Sequence, residues 1–328
     1  MTAVAGTTDS YDLSTKVRED LEDVIWDLFP ADTWALTNLD KVDATSTKHE
    51  WQFDNLDAAS SNAVVEGDDA SYGTITAPTR PNNYLQISRK TFLISGTLEA
   101  VKLAGNKSEI ARQGTKKMRE LKRDIEKAIL GNQGSCVGAQ TAARLSAGME
   151  SWIASTDNGG NGIRGTSTNA GSTLGFSSGA VTAPTDGGSF GGLSQTALNS
   201  ALEAAWTDGG DARIIIVNST HKQTLDGFTS QATRFVDVDK ADQFPILTAA
   251  NVYVSDYGKH MVILSRYLRT NPSVALCIDP EFWATAWLRR PFMETLAKTG
   301  DGEKRMLLAE WSLVARNPNS SAKVFGIS

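Results

Sequence analysis

Three sets of residues in this chain of 328 have types and spacings that chemistry could use. Gly160-Asn161-Gly162-Ile163-Arg164-Gly165 fits GxGxxG. That spacing holds a dinucleotide pyrophosphate when a strand precedes it and a helix follows, because free backbone N–H groups then face the phosphates. Here Ser, Thr, Asn and Gly lie on both sides, and the composition reads as a loop. Gly187-Gly188-Ser189-Phe190-Gly191 fits GxSxG, which would make Ser189 a hydrolase nucleophile with His221 or His260 downstream. The preceding Val181-Thr182-Ala183-Pro184 makes a poor buried strand, so the elbow lacks its first half. His49, His221 and His260 have no metal-ligand spacing among themselves or with Cys136 and Cys277, and no HExxH, EF-hand or Walker A pattern occurs. The two cysteines form neither a CxxC pair nor a disulfide framework and read as free thiols in a reducing cytosol. No catalytic, cofactor or metal site is assigned, and the expectation is a protein that is not an enzyme.

Such residues would need elements to position them, and the chain length suggests about two domains at ~150 residues each. The net charge of -6 excludes a generally basic DNA-coating protein. The charge is unevenly spread: residues 1–70 hold four Lys/Arg against sixteen Asp/Glu, so the remainder is net positive. The opening MTAVAGTTDSYDLS has no basic n-region or apolar h-region, so no signal peptide is expected. Aliphatic runs such as Ile214–Val217 fall far short of the ~20 residues of a membrane span.

Residues 14–29 read as an amphipathic helix capped by Ser14 and stopped by Pro30. Residues 47–56 and 83–95 read as two strands, with about 26 residues rich in Asp, Ser, Ala, Gly and Pro between them. A connection longer than ~15 residues is usually functional or extended, and this one reads as an arm that packs on something outside the body. The strongest local signal is a helix at 107–130. Asn106 and Glu109 form a capping box, Ile110, Gly114, Met118, Leu121, Ile125 and Ile129 line one face, and Gly131 is expected as a left-handed cap. Its other face carries Lys116, Lys117, Arg119, Lys122, Arg123 and Lys127, which reads as a solvated face, as a docking stripe for acidic segments such as residues 1–70 of a neighbouring copy, or as a basic nucleic-acid contact, which the interleaved Glu120, Asp124 and Glu126 weaken. In residues 155–192, twenty-three of 38 are Gly, Ser or Thr. Leu174, Phe176, Val181 and Phe190 argue for a loop partly pinned to a surface. The rest alternates: helices at 194–206 and 219–225 (the second capped by Ser219), strands at 213–218, 274–278, 306–316 and 323–327, and a hairpin turning at Gly258-Lys259.

This order of parts resembles the major capsid proteins of tailed bacteriophages, the Hong Kong 97 fold, over essentially the whole chain. The stretches HEWQFDNL (49–56), NNYLQISRKTFLISGT (82–97), EIARQGTKKMRELKRDIEKAILG (109–131), VYVSDYGKHMVIL (252–264) and ETLAKTGDGEKRMLLAEWSL (294–313) carry the resemblance. It implies an α+β subunit with an N-terminal arm at 1–46 and an extended E-loop at 47–95. A P-domain at 96–192 would contain the spine helix 107–130 and the loop 155–192. An A-domain at 193–272 would follow, and 273–328 would return as strands to the P-domain.

The implied function is structural. Copies would join as pentamers and hexamers into an icosahedral shell around packaged double-stranded DNA, in a virion assembled in the host cytoplasm. Scaffold, portal and cement proteins would be partners, contact with DNA would be weak and non-specific, and no membrane would be involved. Candidate inter-subunit contacts are Trp51, Phe53, Tyr72 and Arg80 on the E-loop and Lys116, Lys117 and Arg123 on the spine helix. Trp283 and Trp287 in EFWATAWLRRPF are either core or subunit contact. In the founding member of the fold an E-loop lysine forms an isopeptide bond to a neighbour. Residues 57–83 contain no lysine, so a non-covalent shell is expected. Alternatives are an encapsulin-type nanocompartment of the same fold, a serine hydrolase using Ser189, and a monomeric α/β binding protein.

Overall fold

A computed structural model describes residues 25–26, 30, 32–54, 56, 59–69, 72–103, 105–155, 160–165, 175–177, 180–185, 190–228 and 252–328. The expected helix at 14–29 lies outside these apart from Ile25 and Trp26, which are not helical. The first elements are α1 (Trp34–Asn38), β1 (Asp40–Asp43), β2 (Lys48–Glu50), β3 (Asn82–Tyr84), β4 (Gln86–Ser95), α2 (Gly96–Ala100), α3 (Glu109–Leu130) and α4 (Met149–Trp152). Next come β5 (Gly162–Arg164), β6 (Phe176–Ser177), β7 (Ala180–Val181), α5 (Gln195–Thr207), β8 (Ile214–Val217) and α6 (Ser219–Asp226). The chain ends with β9 (Val252–Ser255), β10 (Gly258–Leu264), β11 (Ser273–Ile278), β12 (Trp283–Thr295), β13 (Gly302–Ala315) and β14 (Ala322–Ile327).

Two sheets organise the body. A four-stranded sheet has the order β1-β12-β13-β4, and a six-stranded sheet has the order β5-β14-β11-β8-β10-β9. α3 lies across the first. Its 3.6-residue apolar stripe puts Leu121, Ile125 and Ile129 into one core with Leu307, Ala309, Trp311 and Leu313 of β13. The second sheet packs Ile215, Val217, Ala275, Cys277, Ala322 and Val324 against Leu198, Ala201, Leu202 and Ala205 of α5. The longest strands, β12 and β13, pair antiparallel from Trp283↔Ala315 to Thr295↔Arg305, with irregularities near Arg289. The sequence pattern gave no strand at β12, because WATAW is buried on both faces while the far half is exposed, so no single two-residue alternation runs through it.

Several local expectations are corrected. The N-cap of α3 is Ser108, whose Oγ accepts from Ala111 N at 3.3 Å, while Asn106 Nδ2 donates to the Glu109 carboxylate at 2.6 Å. Gly131 is extended (φ -82, ψ 175), not left-handed. α6 is capped by Asn218, whose side chain accepts from His221 N at 2.9 Å. The hairpin pairs Gly258 with Ser255, so Asp256-Tyr257 is the turn.

The expected single strand 83–95 is split at Leu85, which is fully buried. β3 pairs with β2, and β4 pairs with β13 in the body. The last strand does not lie beside β13: β14 joins the six-stranded sheet between β11 and β5. Both β11 and β14 are buried along their whole length, which requires central positions, and no such place is left beside the edge of the other sheet. Sheet membership therefore does not change at residue 272.

The GxGxxG segment is likewise not a bare loop. Gly162 opens β5, which pairs parallel with β14. A Cβ at Gly162 would sit 2.7 Å from Ala154 O, so close backbone approach requires the glycine there. Val181 is buried in the core and its carbonyl accepts from Ser135 N at 2.8 Å, which pins the Gly/Ser/Thr-rich stretch at that point.

Candidate assembly surfaces

The arm begins and ends in a root that the body holds tightly. β2 and β3 pair in the register Lys48↔Tyr84, His49↔Asn83 and Glu50↔Asn82. Asn83 is fully buried, and both ends of its side-chain amide are bonded. Its Nδ2 donates to Leu313 O (2.7 Å) and Ser146 Oγ (3.1 Å), and its Oδ1 accepts from Ala147 N (2.9 Å) and Tyr84 N (3.0 Å). Trp51 donates from Nε1 to Ala315 O at 2.7 Å, and its ring lies 5.3 Å from that of Trp152. A buried, satisfied polar hub fixes one arrangement, because leaving any of these groups unpaired costs about 1–3 kcal/mol.

Above the root the physics changes. Phe53 and Thr79 exchange two backbone hydrogen bonds of 3.0 and 2.9 Å. Beyond that bridge, no described residue between 54 and 78 belongs to a strand or helix. Leu56, Tyr72 and Ile75 are 99%, 97% and 94% exposed, and Val64 and Val65 are 79% exposed. Glu66, Asp68 and Asp69 give the same stretch a negative charge. Scattered exposed apolar residues are ordinary, but five on one extended segment with no sheet beneath them form a surface that gains from a partner.

The candidate contact residues fall into four groups, the last of them Lys116, Lys117 and Arg123 on α3. Tyr72 stands in solvent on the arm. Trp51, Phe53 and Arg80 belong to the root: Arg80 and Lys48 both pair with Glu50, whose carboxyl they hold below its usual range, the Lys48 hydrogen bond contributing most. Trp283 and Trp287 are corrected as contact residues, because they are buried in the core. Trp283 Nε1 donates to Ser321 Oγ (2.9 Å) and Trp287 Nε1 to Thr285 Oγ1 (3.1 Å), so neither ring is available to another copy.

On α3, much of the charge is paired within the subunit. Lys117 binds Glu120 at 2.8 Å, Arg112 binds Glu109 at 2.5 Å, and Lys90 of β4 binds Asp124 at 2.6 Å. Glu109 is pulled down to about 2, chiefly by its hydrogen bond to Arg112. Lys116, Arg119 and Arg123 line a narrow groove with Glu120 and Pro30.

Among the described residues, the sequence signals for chemistry find no constellation. Both ring nitrogens of His260 are engaged, Nδ1 with Ala212 O and Nε2 with Ser255 Oγ, each at 2.6 Å. His221 is buried in α6, and His49 packs 5.9 Å from the Trp51 ring. Burial pushes the Cys277 thiol up to about 12. Among the described residues no group of His, Cys, Asp and Glu could hold a metal ion, and no helix is long and apolar enough to cross a membrane. Ser189 lies outside the described residues.

A subunit with a packed two-sheet body, a long α3 and an unsupported arm is built to lean on its neighbours. The family model described as SU10 major capsid protein matches residues 3–328. The chain belongs to that family. A curated major capsid protein from Escherichia phage Phieco32 is 26% identical over 325 residues, covering 91% of each chain. The capsid of cyanophage A-1(L) superposes with a TM-score of 0.64 at 12% identity, over 98% of this chain and 99% of that one. The holo-SrpI encapsulin of Synechococcus elongatus PCC 7942 matches with a TM-score of 0.55 at 9% identity, over 98% of this chain and 96% of that one. The fold is thus the Hong Kong 97 type, α+β, which phage capsids and encapsulins share. The family model and the phage relative distinguish between these uses: this is a major capsid protein of a phage head shell. Sequence reasoning missed Asn83 as the residue holding the arm root. Its only local sign was an Asn-Asn pair inside an apolar strand, where an unpaired amide would be costly.

Proposed function

We propose that this major capsid protein joins as pentamers and hexamers into an icosahedral head around packaged double-stranded DNA, each arm lying over the next subunit. The observation that carries this reading is the exposure of Leu56, Val64, Val65, Tyr72 and Ile75 on a segment with no core of its own. At ~25 cal/mol per Å² of apolar surface removed from water, covering such side chains yields a modest contribution per arm. Repetition around closed rings turns modest contacts into a stable shell. Scaffold, portal and cement proteins complete the partner set, and assembly takes place in the host cytoplasm.

The union is non-covalent: residues 57–83 contain no lysine to form an amide with a neighbour. Contact with DNA is weak, in keeping with a net charge of -6. Electron microscopy of the expressed full chain tests the reading. Closed shells, or rings of five and six, are expected, and a stable monomer of 35.2 kDa under every condition would contradict it. Denaturing gels of mature particles should show one subunit band and no ladder.

A further inference from the structure

The end of α5 and the turn between β9 and β10 border an open cavity of about 360 Å³, a size typical of small-ligand pockets. Trp206, Asp211, Tyr257 and His260 are among its walls. A glycine pair ends the helix. Gly209 has φ +89, and a Cβ on Gly210 would collide with Ser320 O, so only bare backbone can turn there against the body. Gly209 N and Gly210 N donate to Trp206 O (3.0 Å) and Ala205 O (2.9 Å). Trp206, the largest side chain of α5, is 62% exposed on the cavity rim. A ring so exposed forgoes the burial that makes tryptophan stabilising.

The surroundings are negative. From residue 203 to 212 the chain carries Glu203, Asp208 and Asp211 and no Lys or Arg. The negative end of the α5 dipole lies here too, and no basic residue in its last turn meets it. The Tyr257 phenol is pushed up, by desolvation first and then by the charges of Glu203 and Asp256. Arg213 is shared between two carboxylates, Asp211 at 2.8 Å and Glu281 at 3.0 Å. His260 is held below its usual range, chiefly by burial, and adds no positive charge at pH 7. The Trp206 and Tyr257 ring centroids are 6.0 Å apart with planes at 41°, so they form adjoining walls and leave no slot between them. A guest must stack on the open side of Trp206. An aromatic face ringed by carboxylates attracts a cation, and a planar guanidinium stacks on it better than an ammonium does.

We propose that this cavity receives an arginine side chain of a second copy, its guanidinium lying on Trp206 with Glu203 and Asp208 beside it. The proposal rests on the shell reading and adds a second kind of contact to the apolar arm. Charge identifies the partner surface. Residues 71–328 are net positive, whereas the arm carries Glu66, Asp68 and Asp69, so the cation comes from the body of the neighbour. The carboxylates are exposed, so salt weakens the contact.

Sedimentation velocity of the full chain over a concentration series tests this. Trp206→Ser and Glu203→Gln/Asp208→Asn change exposed side chains and should leave the thermal melt unchanged. Each should need about ten-fold more protein than the wild type to assemble, as loss of a Trp–Arg anchor implies, while Trp206→Phe should recover most of the difference. The partner is read by placing the photo-cross-linker p-benzoylphenylalanine at the exposed Thr207 in particles assembled from mixed isotope-labelled and unlabelled copies. Cross-links to an arginine-bearing peptide of another copy are expected. Assembly of both variants at the wild-type concentration would overturn the inference and leave the shell reading intact. Cross-links confined to the same chain, or to a different protein, would also overturn it. A wild type that never assembles would remove the shell reading and this inference with it.

Discussion

Trp283 and Tyr72 are large aromatic residues with opposite surroundings. Trp283 is fully enclosed, with its indole N–H bonded to Ser321, while Tyr72 is 97% exposed on a segment without secondary structure. The body containing Trp283 gets its stability from apolar packing between two sheets, α3 and α5. Among the described residues, the arm containing Tyr72 makes its regular contacts at its root, through Asn83, Trp51 and the Phe53–Thr79 bridge. On the proposed reading, the body folds alone and the arm is completed by a second copy. Substitutions in the body should therefore unfold the subunit, whereas substitutions in the arm should leave it folded and unable to assemble.

The largest effect is expected in the body. Trp283→Ala removes the indole, opens a cavity and takes one hydrogen bond from Ser321, which keeps the one it accepts from Asp279 N, and should cost about 3–5 kcal/mol in chemical denaturation of the free subunit. Tyr72→Ser should change the same quantity by less than about 0.5 kcal/mol. A comparable loss from both would erase the distinction between the regions. Next is the buried ion cluster behind α4: Glu150 is fully enclosed, pairs with Arg269, and accepts Lys323 Nζ at its backbone oxygen at 2.6 Å. Arg269→Met leaves that carboxylate without its guanidinium and should cost about 3 kcal/mol.

At the boundary of the two regions, Trp51→Phe keeps most of the ring and loses the bond to Ala315 O. It should cost about 1 kcal/mol and speed hydrogen exchange at the arm root selectively. The smallest effect is pH-dependent. Burial pushes the Glu126 carboxyl above its usual 4.5, against the opposing hydrogen bonds from Leu36, Ala35 and Trp34. A raised value means that its favourable contribution is fully present below 4.5 and is lost as pH rises through the raised value. The stability of the wild type relative to Glu126→Gln should accordingly fall as pH increases over that window, as melts across a pH series would show.

What could be read in the sequence follows the same division between local and distant causes. α3 was legible because its apolar stripe and charged face repeat within one element, and the arm because 26 residues rich in Asp, Ser, Ala, Gly and Pro between two strands are too many for a tight hairpin. β14's place beside β11 was not legible, since pairing partners 45 to 54 residues apart leave no local mark. α1 is only five residues long and is held by a carboxylate some 90 positions away, so no propensity announces it. Trp283 and Trp287 resemble interface residues by type, and only the two-sheet packing reveals them as core. Of the candidate contact residues, Tyr72 is exposed on the arm, while Arg80 and Lys117 are paired within the subunit.

The most direct test compares the full chain with a variant in which Leu56, Val64, Val65, Tyr72 and Ile75 are all replaced by Ser. Each protein would be examined by sedimentation velocity, electron microscopy and thermal melting. The wild type should sediment as shells or capsomers, and the variant as a folded single subunit with an unchanged melt. A variant that assembles like the wild type, or that melts far below it, would contradict an arm whose apolar residues serve neighbouring copies.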